Sequence, residues 1–348
     1  MKPTDNSDTA MTDGGSQSKV EEFSFETTSS DTEVTTKERL QDFYAEFIYK
    51  PGLVAWDDPR TRIGGLILFV YILIGTVGTW LYPAPTSNQV PRNLVPFQNW
   101  NAPLGSTQRG VDVLAMAIHA TPPMLIMIAA GGIFATVIAL AIGTLAGYSG
   151  GTVDTVLTSF SDIAMTIPGL PLIMVLAAVF HPDSPILIGL LITINYWAGL
   201  ARSIRSQVLT LREESYVEAS RTMGMSTPRI LFKDVIPNLM PFVLVNFANA
   251  ARYVVFTSVG LAYLGILPTS VPNWGVDLNN AYKQAGALVG TSALYQLIVP
   301  MIMIMGIALS LILLAQGLDR LFNPRVRTRL AGESTTLEES EDSTEVLQ

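Results

Sequence analysis

The chain has 348 residues, of which 49% are hydrophobic and 14% are charged, and its mean hydropathy is +0.38. This composition argues against two soluble domains, whose water-facing surfaces need more charge, and favours a membrane-spanning protein. No cysteine is present, which excludes disulfides, thiolate catalysis and cysteine metal sites.

The net charge of −8 is concentrated at the two ends of the chain. Residues 1–36 carry eight acids and two lysines, and residues 331–348 carry six acids and no base, so the ends contribute −12 and the remainder +4. Both ends are poor in apolar residues. The sequence therefore predicts disordered acidic tails over 1–36 and 330–348.

The segment that follows the first tail, 37–62, is predicted to lie beside the membrane on its cytoplasmic side. Leu40, Phe43 and Phe47 recur at helical spacing and form one apolar face. A helix resting on the membrane surface and a solvated linker helix both remain open for this segment.

Six apolar runs are long enough to be considered as membrane spans, because about 20 helical residues cross a hydrocarbon core of roughly 30 Å. They cover 63–82, 125–146, 163–180, 185–201, 242–267 and 297–318. The third and fourth runs are short and close together, which leaves a count of four or five spans as an alternative. Alternating strand patterns of a membrane β-barrel are missing, so the predicted fold class is an all-α polytopic membrane protein with six transmembrane helices.

The distribution of lysine and arginine predicts the orientation. With six spans and the tails left aside, one side holds fifteen Lys and Arg residues and the other three. The positive-inside rule then places both termini and the loop 202–240 in the cytoplasm of a multi-pass plasma-membrane protein.

Within that loop, the stretch YVEASRTMGMSTPRILFKDVIP (216–237) carries the signals of two short helices. Gly224 suits the left-handed conformation that ends a helix, and Pro228 suits the first turn of the next one. Pro237 is expected to break that second helix. The residues alone leave open whether the unit rests on lipid headgroups or docks a cytoplasmic partner.

The same stretch resembles the EAA loop of ABC importer permeases. Glu218-Ala219-Ser220 stands for the opening triplet, Gly224 is in register, and Ile236-Pro237 closes the motif, while Ser220 and Asp234 depart from the usual residues. The resemblance implies a type I importer permease fold. It also implies a coupling helix centred on Glu218, Ala219 and Gly224, with Arg221 and Met223 at the contact with an ATPase subunit.

Further segments resemble the dipeptide, oligopeptide and nickel branch of these permeases. They are APLGS (102–106) with Gly110 and Asp112, GYSGG (147–151) with Asp154 and Asp162, LAYLG (261–265), Asn273-Trp274-Gly275, and Leu318 to Arg325. The arrangement of one span followed by a long outer loop resembles the second of the two paired permeases in that branch. Thr107, Val111, Ser159 and Ser258 replace residues that are usually charged there, which leaves the peptide assignment less specific than the importer assignment.

The partners implied by the resemblance are a second homologous permease in a heterodimer, two cytoplasmic ABC ATPases and an extracellular solute-binding protein. ATP and Mg would be bound by the ATPases and none by this chain, which is therefore expected not to be an enzyme. The outer-loop residues Gly105, Gly110, Asp112, Trp274 and Gly275 are expected to dock the binding protein. No nucleic-acid partner is expected.

Three polar residues are candidates for a translocation path or gate: Asn249 and Arg252 inside the fifth predicted span, and Asp162 at the start of the third. A charge at membrane depth is costly and is expected to face the bundle interior, water or a partner acid. A structural ion pair or a snorkelling side chain is the alternative explanation.

Other functions are weaker on the sequence. The chain lacks the GxxxxGK[ST] loop of an ATPase and the HExxH and GxSxG patterns of hydrolases, and its two histidines have no partners at metal-ligand spacing. An ion-coupled secondary transporter stays as an alternative, although internal repeats are not visible. The solute of an importer stays open between peptides, nickel and a sugar.

Overall fold

The computed structural model describes residues 58–283 and 293–322, and this part of the chain is helical apart from loops and one isolated bridge between Ser106 and Asp112. The helices are α1 (Pro59–Leu81), α2 (Val113–Ser149), α3 (Gly151–Thr166), α4 (Gly169–Phe180), α5 (Pro185–Ile192), α6 (Tyr196–Leu211), α7 (Ser215–Thr222), α8 (Thr227–Tyr263), α9 (Trp274–Lys283) and α10 (Tyr295–Phe322). The predicted all-helical fold class is confirmed. The two acidic tails, the segment 37–57 and residues 323–325 of the last motif lie outside the described residues.

Four helices of the described chain, α1, α2, α8 and α10, are long and apolar enough to cross a membrane unaided. Two bent pairs, α3 with α4 and α5 with α6, raise the number to six if each pair is one span. The predicted first, second, fifth and last spans all lie within or across these four long helices. The helices start up to 15 residues before the predicted bounds, because helical backbone extends past the apolar run, and α8 ends at Tyr263, four residues before the predicted end.

The two predicted spans 163–180 and 185–201 are each bent in the structure. The first of these begins earlier, at Gly151, and bends by 81° at Ile167 and Pro168. Proline has no amide hydrogen and disfavours helical backbone in the residue before it, which explains the break. The second bends by 57° between Ile192 and Tyr196 without a proline.

Pro237 does not break its helix, in contrast to the prediction. Helix α8 runs through it because a π-helical turn at Leu231–Val235 precedes it and changes the hydrogen-bond register. The side-chain amide of Asn238 donates to the carbonyl of Asp234 at 2.6 Å within this turn. Pro237 then occupies the first turn of the following α-helical segment, where a missing amide is tolerated.

A stripe of small residues on α2 allows close packing with the neighbouring helices. Every fourth residue on this face is glycine or alanine, and all are buried: Gly131, Ala135, Ala139, Gly143 and Gly147. A Cβ added to Gly143 would lie 2.6 Å from the carbonyl oxygen of Ala201 on α6. The stripe lets the backbones of α2, α5 and α6 approach closely, as small residues do between membrane helices.

Candidate functional site

The sequence motif that follows α6 folds into a helix–bend–helix unit, defined here as residues 214–235, which comprises α7, the bend at Gly224 and the start of α8. Helix α7 ends at Thr222, and Gly224 follows in the left-handed region with φ of +74°. The amide of Met225 donates to the carbonyl of Ser220 at 3.2 Å, and that of Gly224 to Arg221 at 3.0 Å, a pattern that closes a helix end. The bend between the two helices is therefore fixed by backbone hydrogen bonds.

The inner face of the helix–bend–helix unit is apolar and packs on the bundle. Val217 and Val235 are fully buried, and Ile230 is 1% exposed. They belong to one hydrophobic cluster with Ile204 and Val208 of α6. Because close-packed side chains transmit displacement, the unit and α6 are expected to move together.

The outer face carries most of the predicted coupling residues. Glu218, Ala219, Arg221 and Gly224 are exposed, and the side chain of Met223 is 76% exposed. The other three predicted coupling residues do not lie on this face. Ser220 is buried, with 7% of its surface exposed, and Ile236 and Pro237 are half-buried within α8.

Phe232 was not predicted and is 73% exposed in the π-helical turn. Ile230, Leu231 and Val235 form the apolar side of this segment, and the structure buries all three. The sequence signal for an exposed Phe232 was its position outside this apolar side. A π-helical turn shifts the side-chain phase, which a regular helical pattern cannot anticipate.

A polar groove of about 780 Å³ joins the helix–bend–helix unit to the end of α2. The guanidinium carbon of Arg221 lies 5.7 Å from the ring centre of Tyr148, within the range of a cation–π contact. Arg212 donates from Nη1 to the carbonyl of Gly147 at 3.3 Å. Two separate sequence motifs, the GYSGG stretch and the EAA-like loop, therefore meet in space.

Two aspartate–arginine pairs join α3 to α6. Asp154 accepts from Nε and Nη2 of Arg205 at 2.5 and 2.6 Å, a bidentate geometry with both side chains largely buried. Asp162 lies 3.5 Å from Nη1 of Arg202, and both side chains are about half exposed. The structure thus places the candidate gate residue Asp162 in an ion pair, which is the structural alternative considered for it.

Both helix bends face a second groove, called here the bend groove, with a volume of about 570 Å³. Its lining includes Ile167, Pro168 and Gly169 from the first bend, Asn195, Tyr196, Gly199 and Ser203 from the second pair, and Asn246 and Tyr253 from α8. The rings of Tyr196 and Tyr253 stack with centroids 4.6 Å apart. The candidate path residues Asn249 and Arg252 are half-buried on α8 and are not among the residues that line it.

Comparison with known proteins places the chain. A family described as "Binding-protein-dependent transport system inner membrane component" matches residues 139–328, more than half of the chain. The chain belongs to this family of ABC importer permeases. The match includes the helix–bend–helix unit, both aspartate–arginine pairs and the bend groove.

Several curated proteins are similar to this permease over most of their length. The oligopeptide transport system permease protein OppC of Bacillus subtilis is 30% identical over 66% of this chain and 78% of its own. The probable peptide ABC transporter permease protein y4tQ of Sinorhizobium fredii is 30% identical over 79% and 92%. The dipeptide transport system permease protein DppC of B. subtilis is 26% identical over 68% and 76%.

The outer-loop residues predicted to dock a binding protein are all buried in the permease. Asp112 caps α2 by accepting a hydrogen bond from the Leu114 amide at 2.9 Å. It also accepts from the Tyr82 hydroxyl at 2.7 Å. Burial and this hydrogen bond to Asp112 raise the pKa of Tyr82 to about 12. Gly105 and Gly110 have φ of +85° and +66°, a region that favours glycine. These residues shape the loop from within, so docking by the loop stays a prediction that concerns its exposed residues.

Trp274 and Gly275 are buried for a similar reason. The Trp274 indole donates to the carbonyl of Ala117 at 3.3 Å and meets the Tyr71 ring edge-on, with centroids 5.9 Å apart. An added Cβ on Gly275 would lie 2.3 Å from the carbonyl of Val259. Trp274 therefore holds α9 against the helix bundle through contacts with α1 and α2.

A cavity of about 240 Å³ lies between α2, α9 and α10 of the permease. Asp277 and Asn273 from α9, His119 from α2 and Gln296 from α10 contribute to its lining. Burial raises the pKa of Asp277 to about 7. This carboxyl group therefore changes its charge near neutral pH.

Proposed function

We propose that this permease is the subunit of an ATP-driven importer that forms, with a second homologous permease, the pathway for a peptide-type solute. Two cytoplasmic ATPase subunits would bind ATP and Mg and hydrolyse the ATP, and an extracellular binding protein would deliver the solute. The printed names of the similar proteins, oligopeptide, dipeptide and peptide permeases, support the peptide solute. The chain itself would bind no cofactor.

The observation that carries the proposal is the two-faced construction of the helix–bend–helix unit. Its exposed face holds Met223 and Arg221, while Val217 on the opposite face is sealed into the cluster shared with α6. A partner that pushes on the exposed face would displace α6, and with it the bent span. Transmission of a small rotation needs a rigid contact of this kind, because packed elements shift as units.

The proposed topology follows from the same contact. The ATPases are cytoplasmic, so the helix–bend–helix unit and both termini would lie on the cytoplasmic side of the plasma membrane, in agreement with the excess of Lys and Arg on that side.

Site-specific crosslinking tests the proposed ATPase contact. The chain has no cysteine, so Met223→Cys creates a unique thiol at an exposed position. After attachment of a photo-crosslinker in native membranes, we expect a covalent product whose second chain contains a nucleotide-binding GxxxxGK[ST] loop by mass spectrometry.

Ser220→Cys is the matched control, because Ser220 lies on the same helix but is buried. It is expected to give little or no product with an ATPase. An intact complex in which Met223→Cys gives no ATPase product, or gives no more than Ser220→Cys, contradicts the proposal.

A further inference from the structure

The two helix bends lie at membrane depth. The predicted span ends at Ala201, six residues into α6, and α5 has eight residues, so a rise of 1.5 Å per residue puts their bend about 9 Å from Ala201 and about 12 Å from the Pro185 end. A hydrocarbon core is roughly 30 Å thick. The bend therefore lies inside the membrane, and the Asn195 amide, which donates to the carbonyl of Ile167 at 3.2 Å, places the other bend beside it.

The bend groove is a poor surface for lipid. Irregular backbone at membrane depth is tolerated where it is buried in protein or lines a water-filled cavity. Here two irregular segments and the amides of Asn195 and Asn246 face one groove. Polar groups that face hydrocarbon are costly, so this groove is expected to contain water or a polar solute.

The described residues that line the bend groove carry no charge. Its polar groups are two carboxamides, two tyrosine hydroxyls and the hydroxyl of Ser203. Carboxamides donate and accept hydrogen bonds in the manner of a peptide backbone, and hydroxyls do both as well. The stacked rings of Tyr196 and Tyr253 add an apolar face for side chains.

We infer that the bend groove is the segment of the pathway through this subunit that contacts the solute, and that its amide and tyrosine lining accepts the backbone of a peptide. This inference rests on the proposed transport function. It differs from the sequence prediction, which assigned the path to Asp162, Asn249 and Arg252.

Gly199 gives a direct test, because it lines the bend groove and an added Cβ there would meet nothing within 4 Å. Gly199→Phe should fill the groove without a clash in the protein. Gly65 on α1 also has nothing within 4 Å of an added Cβ and does not line the groove, so Gly65→Phe is the matched control.

The assay is ATP-driven uptake of a labelled alanyl tripeptide by the complete transporter in membrane vesicles. Gly199→Phe should reduce uptake by about tenfold or more while the complex stays assembled, because the pathway is obstructed at a step that every solute molecule must pass. Gly65→Phe should leave uptake close to wild type. Uptake that is unchanged in Gly199→Phe overturns the inference.

A second measurement is independent of the solute. Gly199→Cys in the cysteine-free chain should react with a charged, membrane-impermeant thiol reagent, and Gly65→Cys should not. Failure of Gly199→Cys to react, with and without ATP, shows a surface covered by lipid or by the second permease and overturns the inference.

The two measurements separate this inference from the proposed function. If the wild-type transporter takes up the tripeptide and Gly199→Phe does too, the function stands and the groove assignment fails. If Gly199→Cys reacts but the wild type takes up no tripeptide, the aqueous groove stands, and both the peptide solute and its recognition by this lining fail.

Discussion

Substitution of Val217 by alanine tests the connection between the exposed unit and the bundle. Val217 is fully buried in the cluster shared by α6, α7 and α8. The change removes two methyl groups, worth about 0.8 kcal/mol each in transfer free energy, and leaves a small cavity. We expect the free energy of unfolding to fall by about 1.5–2.5 kcal/mol, because packing is lost at the contact between α7 and α6.

The functional consequence is a loss of coupling. A loosened joint should absorb part of the displacement that the ATPases deliver, so the amount of peptide transported per ATP hydrolysed should fall while ATP hydrolysis itself persists. Both quantities can be measured on the same vesicles. Val153→Ala on α3 is the matched control, because that side chain is 48% exposed and its loss opens no cavity.

Two outcomes would refute this reasoning. A transport-to-hydrolysis ratio that is unchanged in Val217→Ala, although the variant melts at a lower temperature, would show that the packing against α6 is structural only. An equal loss of the ratio in Val153→Ala would show that the effect has no connection with the joint.

Two further predictions concern the bundle itself. Gly143→Ala should lower the apparent melting temperature by an amount that corresponds to about 1–3 kcal/mol, because its Cβ would lie 2.6 Å from a backbone carbonyl that cannot turn away. Gly65→Ala should be neutral or stabilising, since an added Cβ there has open space; equal melting temperatures for the two variants would contradict the close packing. Burial raises the pKa of Asp277 from 3.8 to about 7, so the folded state holds a proton that the unfolded state releases, and stability should fall as pH rises between these values. Asp277→Asn should be more stable than wild type above pH 7, with a difference that shrinks as pH falls toward 4, and a pH-independent difference in melting temperature would contradict this assignment.

The sequence was sufficient for the helical class and for the helix–bend–helix unit. Long apolar runs, the glycine at position 224 and the proline at 228 each act through local chemistry, and local chemistry is what a sequence displays. The left-handed Gly224 and the first-turn position of Pro228 appear in the structure as expected.

Features that depend on tertiary packing were not predictable in this way. No proline lies at the bend near Asn195, so the sequence shows no sign of it. Helix α8 continues through Pro237 because a π-helical turn precedes this proline. Trp274 was expected to dock a binding protein but is buried in the bundle core. Burial depends on which tertiary neighbour covers a residue, and the local patterns of a sequence do not show that neighbour.

The candidate site shows the same division. Ser220 and Met223 were both assigned to the coupling motif, but Ser220 faces inward while Met223 faces outward, and helical spacing did not separate them. The bend groove was missed because its residues come from three distant segments, around positions 168, 196 and 250. The polar side chains that stood out in the sequence, such as Asp162, proved to have an ion-pair partner.

The most direct test of the central claim is the energy source of transport. The purified complex, with its copurifying subunits and binding protein, is reconstituted into lipid vesicles, and uptake of a labelled alanyl tripeptide is measured. We predict uptake that requires ATP on the side of the helix–bend–helix unit and binding protein on the other, and that persists when ion gradients are collapsed. Uptake driven by an ion gradient without ATP would contradict the account and favour a secondary transporter.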